Sequence, residues 1–274
     1  MIRFTKAHAC GNDFLIVTED AVQGCNWADV TRHLCARNTG IGADGIEFFA
    51  WTGSNCGRLR LHNADGSIAE ISGNGTRCVA AWMAHERRFQ PGDEVEIATD
   101  AGIRVCRIDG TNTAGEFSVE VTAGMGVPVF KPLTIILADG LEVTGTTVSM
   151  GNPHFVIEVD DPEFAYAGFT WDSIAAEICA HPDFPQQTNV EFMRIVNRSE
   201  IEIRIFERGV GPTTSSGTGS SAAATAAIAM RLASTPLRVT TPGGTQTVEW
   251  DGPGTELRLT GSAALIARGE AWPA

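Results

Sequence analysis

Ser72-Gly73-Asn74-Gly75-Thr76-Arg77 and Ser216-Gly217-Thr218-Gly219-Ser220-Ser221 decide how this chain is read. In each stretch a serine precedes a Gly-x-Gly that runs into small apolar residues, Val79 to Ala84 in the first and Ala222 to Ala229 in the second. Serine favours the N-cap, so the spacing predicts two alanine-rich helices opening at these points. Glycine lets a backbone approach a ligand closely, and the unpaired N–H groups of a helix start attract negative charge. One such start is an ordinary cap. Two at matched places point to one small anion gripped from both sides, an arrangement suited to chemistry on both faces of a carbon.

The matching extends beyond the serines. Gly11-Asn12 leads into the apolar run Phe14-Leu15-Ile16-Val17, and Gly151-Asn152 leads into Phe155-Val156-Ile157. Leu59-Arg60-Leu61-His62 alternates like a strand and ends at Asn63; Ile201 to Phe206 alternates and ends at Glu207. Asn63 precedes Ser72 by the same interval as Glu207 precedes Ser216. Hairpin signals follow both helices, Thr99-Asp100-Ala101-Gly102 and Thr241-Pro242-Gly243-Gly244. The chain therefore reads as an internal duplication with a ligand cleft expected between its halves. The fold class expected is α+β: two pseudo-symmetric domains, each a curved, mostly antiparallel sheet or barrel wrapped around a central helix. A helix enclosed by a sheet must be thin and apolar all round, as alanine and valine allow.

With 274 residues, 43% apolar and 19% charged, the chain has ample material for such cores. A net charge of -13 repels a phosphate backbone and argues against a nucleic-acid partner. No apolar run approaches the roughly 18–20 residues of a membrane helix, and Met1 to Lys6 lacks a hydrophobic signal region. The seven cysteines form no C-x-x-C pair, so neither a disulfide framework nor a metal site is expected. Free thiols without a signal region place the chain in the cytoplasm. Cys10, beside Asn12, is the cysteine nearest a candidate ligand residue.

Gly40-Ile41-Gly42-Ala43-Asp44-Gly45 spells a dinucleotide fingerprint, but that motif needs a strand before it and a helix after it. Here Trp27 to Asn38 reads as a helix and Glu47 to Trp51 as a strand, so the glycines form a helix-to-strand turn and no nicotinamide or flavin is expected. Neither serine lies in a G-x-S-x-G elbow, which excludes an acyl-transfer triad. His154 stands out among the histidines because it falls in the second Gly-Asn unit. In Glu207-Arg208-Gly209 an arginine suited to gripping a carboxylate adjoins an acid able to act as a base. Asn12, Asn63, Asn74, Asn152 and Asn189 add uncharged donors and acceptors, a set that suits a zwitterionic amino-acid ligand.

The segments Lys6 to Phe14, Asn38 to Gly45, Asn63 to Ser67, Gly73 to Cys78, Gly151 to His154, Thr188 to Glu191, Glu207 to Gly209 and Gly217 to Gly219 resemble the diaminopimelate epimerase family, in order and over nearly the whole chain. The resemblance implies domains at 1–117 and 118–262, with a returning strand at 263–274 in the first. It implies interconversion of LL- and meso-2,6-diaminopimelate, on the route to lysine and peptidoglycan, with no cofactor and no metal; a homodimer stays open. It also implies that Asn63, Asn152, Asn189 and Arg208 hold the unreactive end of the substrate, and that Gly73, Asn74, Gly217 and Thr218 bind the reacting end. Asn12 joins them on the ligand side.

Family members use two cysteines, one on each face of the α-carbon. Ser72 and Ser216 occupy those positions here, and Cys78 matches a helix cysteine away from the chemistry. Four readings follow. The enzyme works through Ser72 with His154 and Ser216 with Glu207; or the chain is a double variant that traps substrate; or it is an isomerase like those of the phenazine pathway; or it binds an amino acid without turnover. The retained distal clamp favours the first two.

Overall fold

The computed structural model describes residues 1–69, 71–112 and 117–273. The chain folds as two compact units, residues 1–124 with 260–274, and residues 125–259. Strands and helices of the first unit are β1 (Ile2–Ala9), β2 (Asn12–Thr18), α1 (Trp27–Cys35), β3 (Gly45–Trp51), β4 (Cys56–Asn63), β5 (Ile68–Ala69), α2 (Gly73–Arg87), β6 (Glu94–Thr99), β7 (Gly102–Asn112) and β8 (Phe117–Gly124). The second unit contains β9 (Val129–Ile136), β10 (Glu142–Ser149), β11 (Pro153–Glu158), α3 (Trp171–Cys179), β12 (Asn189–Asn197), β13 (Glu200–Glu207), β14 (Gly211–Thr213), α4 (Gly217–Ala229), β15 (Leu237–Thr241) and β16 (Gly244–Glu249). The last strand, β17 (Arg258–Ala271), pairs along β1 from Ile2↔Ala271 to His8↔Ala264.

In the first unit the sheet runs β17–β1–β2–β3–β4–β6–β7–β8, and β8 pairs back onto β17, so the sheet closes on itself. The pairs β2–β3 and β4–β6 are parallel, with α1 and α2 in their respective crossovers. Inside lies α2, packed against β1, β2, β6, β7 and β8. Cys78, Val79, Ala80, Ala81 and Met83 on α2 are all buried, which only a helix enclosed on every side requires. By contrast α1 is amphipathic: Val30, Thr31, Leu34 and Cys35 face inward, the Asn26 side chain caps its start, and Trp27 stacks on Phe48 at 4.5 Å.

The second unit repeats the plan. Its sheet runs β9–β10–β11–β12–β13–β15–β16, with β11–β12 and β13–β15 parallel. Here α4 packs against β10, β11, β12, β13, β15 and β16. Both expected hairpins close, at Thr99↔Gly102 and Thr241↔Gly244. The fingerprint-like glycines make the helix-to-strand turn from α1 to β3: the Gly40 N–H bonds the Ala36 carbonyl, and a Cβ there would lie 2.7 Å from the Leu34 oxygen.

Because Ala222, Ala223, Ala224, Ala226 and Ala227 are at most 1% exposed, α4 has no room for larger side chains. Ala224→Leu is expected to cost about 2–3 kcal/mol through overpacking. A thermal melt followed by circular dichroism checks this, and an unchanged midpoint would contradict the enclosure of α4.

Candidate active site

In the first unit, Ser72 has extended backbone and its Oγ accepts from the Gly75 N–H at 3.0 Å, so it is the N-cap of α2. The Thr76 hydroxyl donates to the Ser72 carbonyl at 2.8 Å. This fixes the first turn, whose N–H groups lie beyond the helix's own bonding ladder. The Asn74 amide donates to Asn12 Oδ1 at 3.2 Å, and the buried Arg77 guanidinium donates to Asn74 Oδ1 at 2.6 Å. Asn12 in turn donates to Asp44 Oδ2 at 2.6 Å. Arg37 links Asp44 to Asp13, and Lys6 lies 2.9 Å from Asp13. Burial pushes the Asp13 carboxyl up, but the hydrogen bonds and charges of Arg37 and Lys6 together outweigh it and hold it below the usual range. A charged lattice therefore holds Asn12, and Asn12 holds the helix start. Asn63 ends β4, and its side-chain amide donates to Ser67 Oγ at 3.0 Å.

The second unit builds the same arrangement from different residues. Ser216 Oγ accepts from the Gly219 N–H at 3.2 Å and lies 3.4 Å from Thr218 Oγ1. Asn152 donates to Thr218 Oγ1 at 3.4 Å, the counterpart of the Asn12–Asn74 bond. In both units the asparagine after the Gly of the strand turn is tied to the second helical residue. Asn189 Oδ1 accepts from the Arg208 backbone N–H at 3.0 Å, and the exposed Arg208 guanidinium donates to the Gln186 carbonyl. Half-buried Glu207 ends β13 and pairs with Gly211 of β14.

His154 opens a chain of buried groups. Its Nε2 lies 3.1 Å from Asn152 Oδ1, which can only accept, so Nε2 carries a hydrogen. Its Nδ1 lies 2.7 Å from Glu191 Oε1, and both side chains are 0% exposed. One proton is therefore shared between Nδ1 and Oε1. Burial raises the Glu191 carboxyl, and the charge and hydrogen bond of His154 pull it back.

Both serines thus make the ordinary cap bond expected of a lone serine in each motif. Three buried thiols are held protonated and do not stand in for them: burial pushes Cys35 and Cys106 up to about 12 and raises Cys78 too. Cys10 lies half-buried in the β1–β2 turn and Cys25 is exposed. Sequence reading missed two residues, Glu47 and the role of Glu191. Each is a carboxylate in mid-strand among apolar neighbours, Ile46-Glu47-Phe48 and Val190-Glu191-Phe192, and that interruption was the available signal.

Solved structures share this fold. A predicted epimerase from Pseudomonas aeruginosa superposes with a TM-score of 0.72 at 12% identity, over 100% of both chains. A hydroxyproline epimerase from Agrobacterium vitis gives 0.71 at 16% identity, over 98% of this chain and 91% of that one. The chain thus shares its fold with these two epimerases. Sequence narrows the class: the profile of the diaminopimelate epimerase family matches residues 4–131 and 146–266. The diaminopimelate epimerase of Pseudomonas entomophila is 36% identical over 98% of this chain and 99% of its own. That of Teredinibacter turnerae is 33% identical, with 98% of both chains covered. The chain belongs to the diaminopimelate epimerase family, a family of isomerases.

Proposed function

We propose that this chain interconverts LL- and meso-2,6-diaminopimelate by moving a proton at one α-carbon without a cofactor, with Ser72 and Ser216 serving one face each. The observation that carries this reading is the repeated helix start. In each unit a capped Gly-x-Gly turn is braced through its second residue by the unit's own Gly-Asn asparagine. Such N–H groups suit the α-carboxylate and stabilise the negative charge that develops when the α-proton leaves. Gly73, Asn74, Gly217 and Thr218 take that role. Asn63, Asn152, Asn189 and Arg208 suit the distal amino and carboxylate groups, and their polarity disfavours ligands lacking these. His154 and Glu207 are the adjoining proton-carrying groups.

Proton NMR of LL-diaminopimelate with the purified chain in D₂O tests this. Deuterium at the α-carbon with meso product is the expected outcome; binding without exchange would instead mark a binding relative. Arg208→Ala is expected to weaken substrate binding by about 10²-fold, the scale of a lost hydrogen-bonded charge pair. Glu207→Gln should leave binding within about twofold while lowering turnover by ~10²-fold. Titration calorimetry beside the NMR assay separates the two variants.

All seven cysteines are free, which fits the reducing cytoplasm as the site of action. Among the described residues no helix is long and apolar enough to cross a membrane.

A further inference from the structure

Arg77, one turn into α2, is a buried cation short of partners. Its side chain is 0% exposed. The guanidinium donates through Nη2 to Asn74 Oδ1 at 2.6 Å, while Nε and Nη1, equally cut off from water, have no hydrogen-bond partner. Glu120 is the carboxylate whose charge it feels, but that residue sits at an exposed position of β8 and bonds neither nitrogen. Burial pulls the Arg77 pKa down, yet a guanidinium starts so far above neutrality that it keeps its charge. A buried charge without a counter-ion is costly, so its position calls for a physical reason.

The surrounding groups do not balance it. In the lattice that holds Asn12, Lys6 and Arg37 are matched by Asp13 and Asp44. Glu47 Oε1 fills the place a Cβ on Gly75 would take, but burial pushes this carboxyl up to about 8, so it is neutral at pH 7. The thiols of Cys10, Cys78 and Cys106 stand near Arg77, and burial keeps the last two protonated. Helical side chains lean toward the N-terminus, and Arg77 accordingly reaches back to Asn74 in the first turn. The positive charge therefore lies behind the orphan N–H groups of the helix start. The second unit lacks this device. The residue five after Ser216 is Ser221, buried and donating to the Gly217 carbonyl at 2.8 Å. Its buried acid, Glu191, stands where Glu47 stands in the first unit and has His154, at the place of Phe14; His154 pairs with Asn189 as Phe14 pairs with Gly45. The two helix starts match in shape and differ in charge.

We propose that the counter-ion of Arg77 is the substrate's α-carboxylate, and that Arg77 is a positioning residue that charges the start of α2 through Asn74. The inference rests on the epimerase reading above. The first helix start then carries the ionic part of carboxylate recognition, while the second contributes dipoles alone. The buried guanidinium acts without touching the substrate. As the α-proton leaves, negative charge spreads onto the carboxylate, and a fixed cation in a water-poor site stabilises that state more than the ground state.

Calorimetry, kinetics and thermal melts on the full chain decide it. Arg77→Met, which keeps length without charge, should weaken LL-diaminopimelate binding by about 10-fold and lower kcat by about 10-fold more. Arg77→Lys, which keeps the charge, should restore most of both. Without ligand, Arg77→Met should melt at or above the wild type, because a buried unpaired charge has gone. If Arg77→Met does not fold, Arg77→Gln, which still offers Asn74 a donor, takes its place beside Arg77→Lys. A folded uncharged variant with wild-type affinity and kcat overturns the proposal, as does one whose losses Arg77→Lys shares in full. Should the wild type not bind LL-diaminopimelate, the epimerase reading fails, and sodium acetate still tests the charge. Acetate should raise the wild-type melting midpoint by about 2 °C more than that of the uncharged variant. An equal rise in both overturns the assignment of a carboxylate to Arg77.

Discussion

Ser72→Cys combined with Ser216→Cys is expected to raise kcat for diaminopimelate epimerisation by about 10²-fold or more while lowering thermal stability. The gain follows from acidity. At pH 8 a thiol of ordinary pKa, about 8.5, is roughly one-quarter thiolate, and a helix start increases that fraction. A serine hydroxyl is a far weaker acid than a thiol and holds almost no alkoxide at the same pH. Serine must lose and regain hydrogen in concert with carbon. The thiolate is already formed. The stability loss follows from the caps. Ser72 and Ser216 each accept a helix N–H, at 3.0 and 3.2 Å, and sulfur is the weaker acceptor, so each replacement costs about 0.5–1 kcal/mol. Opposite movements of rate and melting temperature are the signature to measure. A folded double variant no faster than wild type would show that these two positions do not carry the proton.

What the sequence revealed depended on how local each feature is. The serine-capped helices, the turn after α1 and both hairpins were legible because glycine, serine and alternating apolar residues act within a few positions of where they stand. The pairing of Asn63 with Glu207 as equivalent strand ends was also legible, since duplication preserves intervals. The bonds that brace each site join residues far apart in the chain, as Asn12 does with Asp44 and Asn74. Composition gives no hint of those partners. Glu47 and Glu191 were hidden for a related reason: a glutamate within an apolar strand reads as an outward-facing residue until closure of the sheet turns it inward, against a helix glycine. Likewise, the chain alone identifies His154 but not its buried carboxylate partner.

That partnership carries the second large effect. His154→Phe places in the second unit the residue that Phe14 supplies at the equivalent strand position of the first. What the change removes is the 2.7 Å bond to Glu191 Oε1, leaving a fully buried carboxyl with nothing to share its proton. Breaking a buried pair by deleting one member costs about 3–5 kcal/mol. The loss should depend on pH, and its sign is fixed. Burial already raises the Glu191 carboxyl above the ordinary carboxylate range, and the opposing pull of His154 is gone in the variant. The folded variant then holds a proton that the unfolded chain has released, so its stability falls as pH rises from about 4.5 to the folded pKa. Glu47, whose neighbouring strand carries Phe14 at the place His154 takes in the second unit, is pushed up to about 8 by burial and shows what Glu191 should become. Melting temperatures at pH 5 and pH 8 should therefore diverge for His154→Phe, with the larger drop at pH 8. Adding Glu191→Gln, which cannot ionise, should remove that divergence. A deficit equal at both pH values would mean that the imidazole serves packing alone, and that the buried acid in this unit is indifferent to its partner.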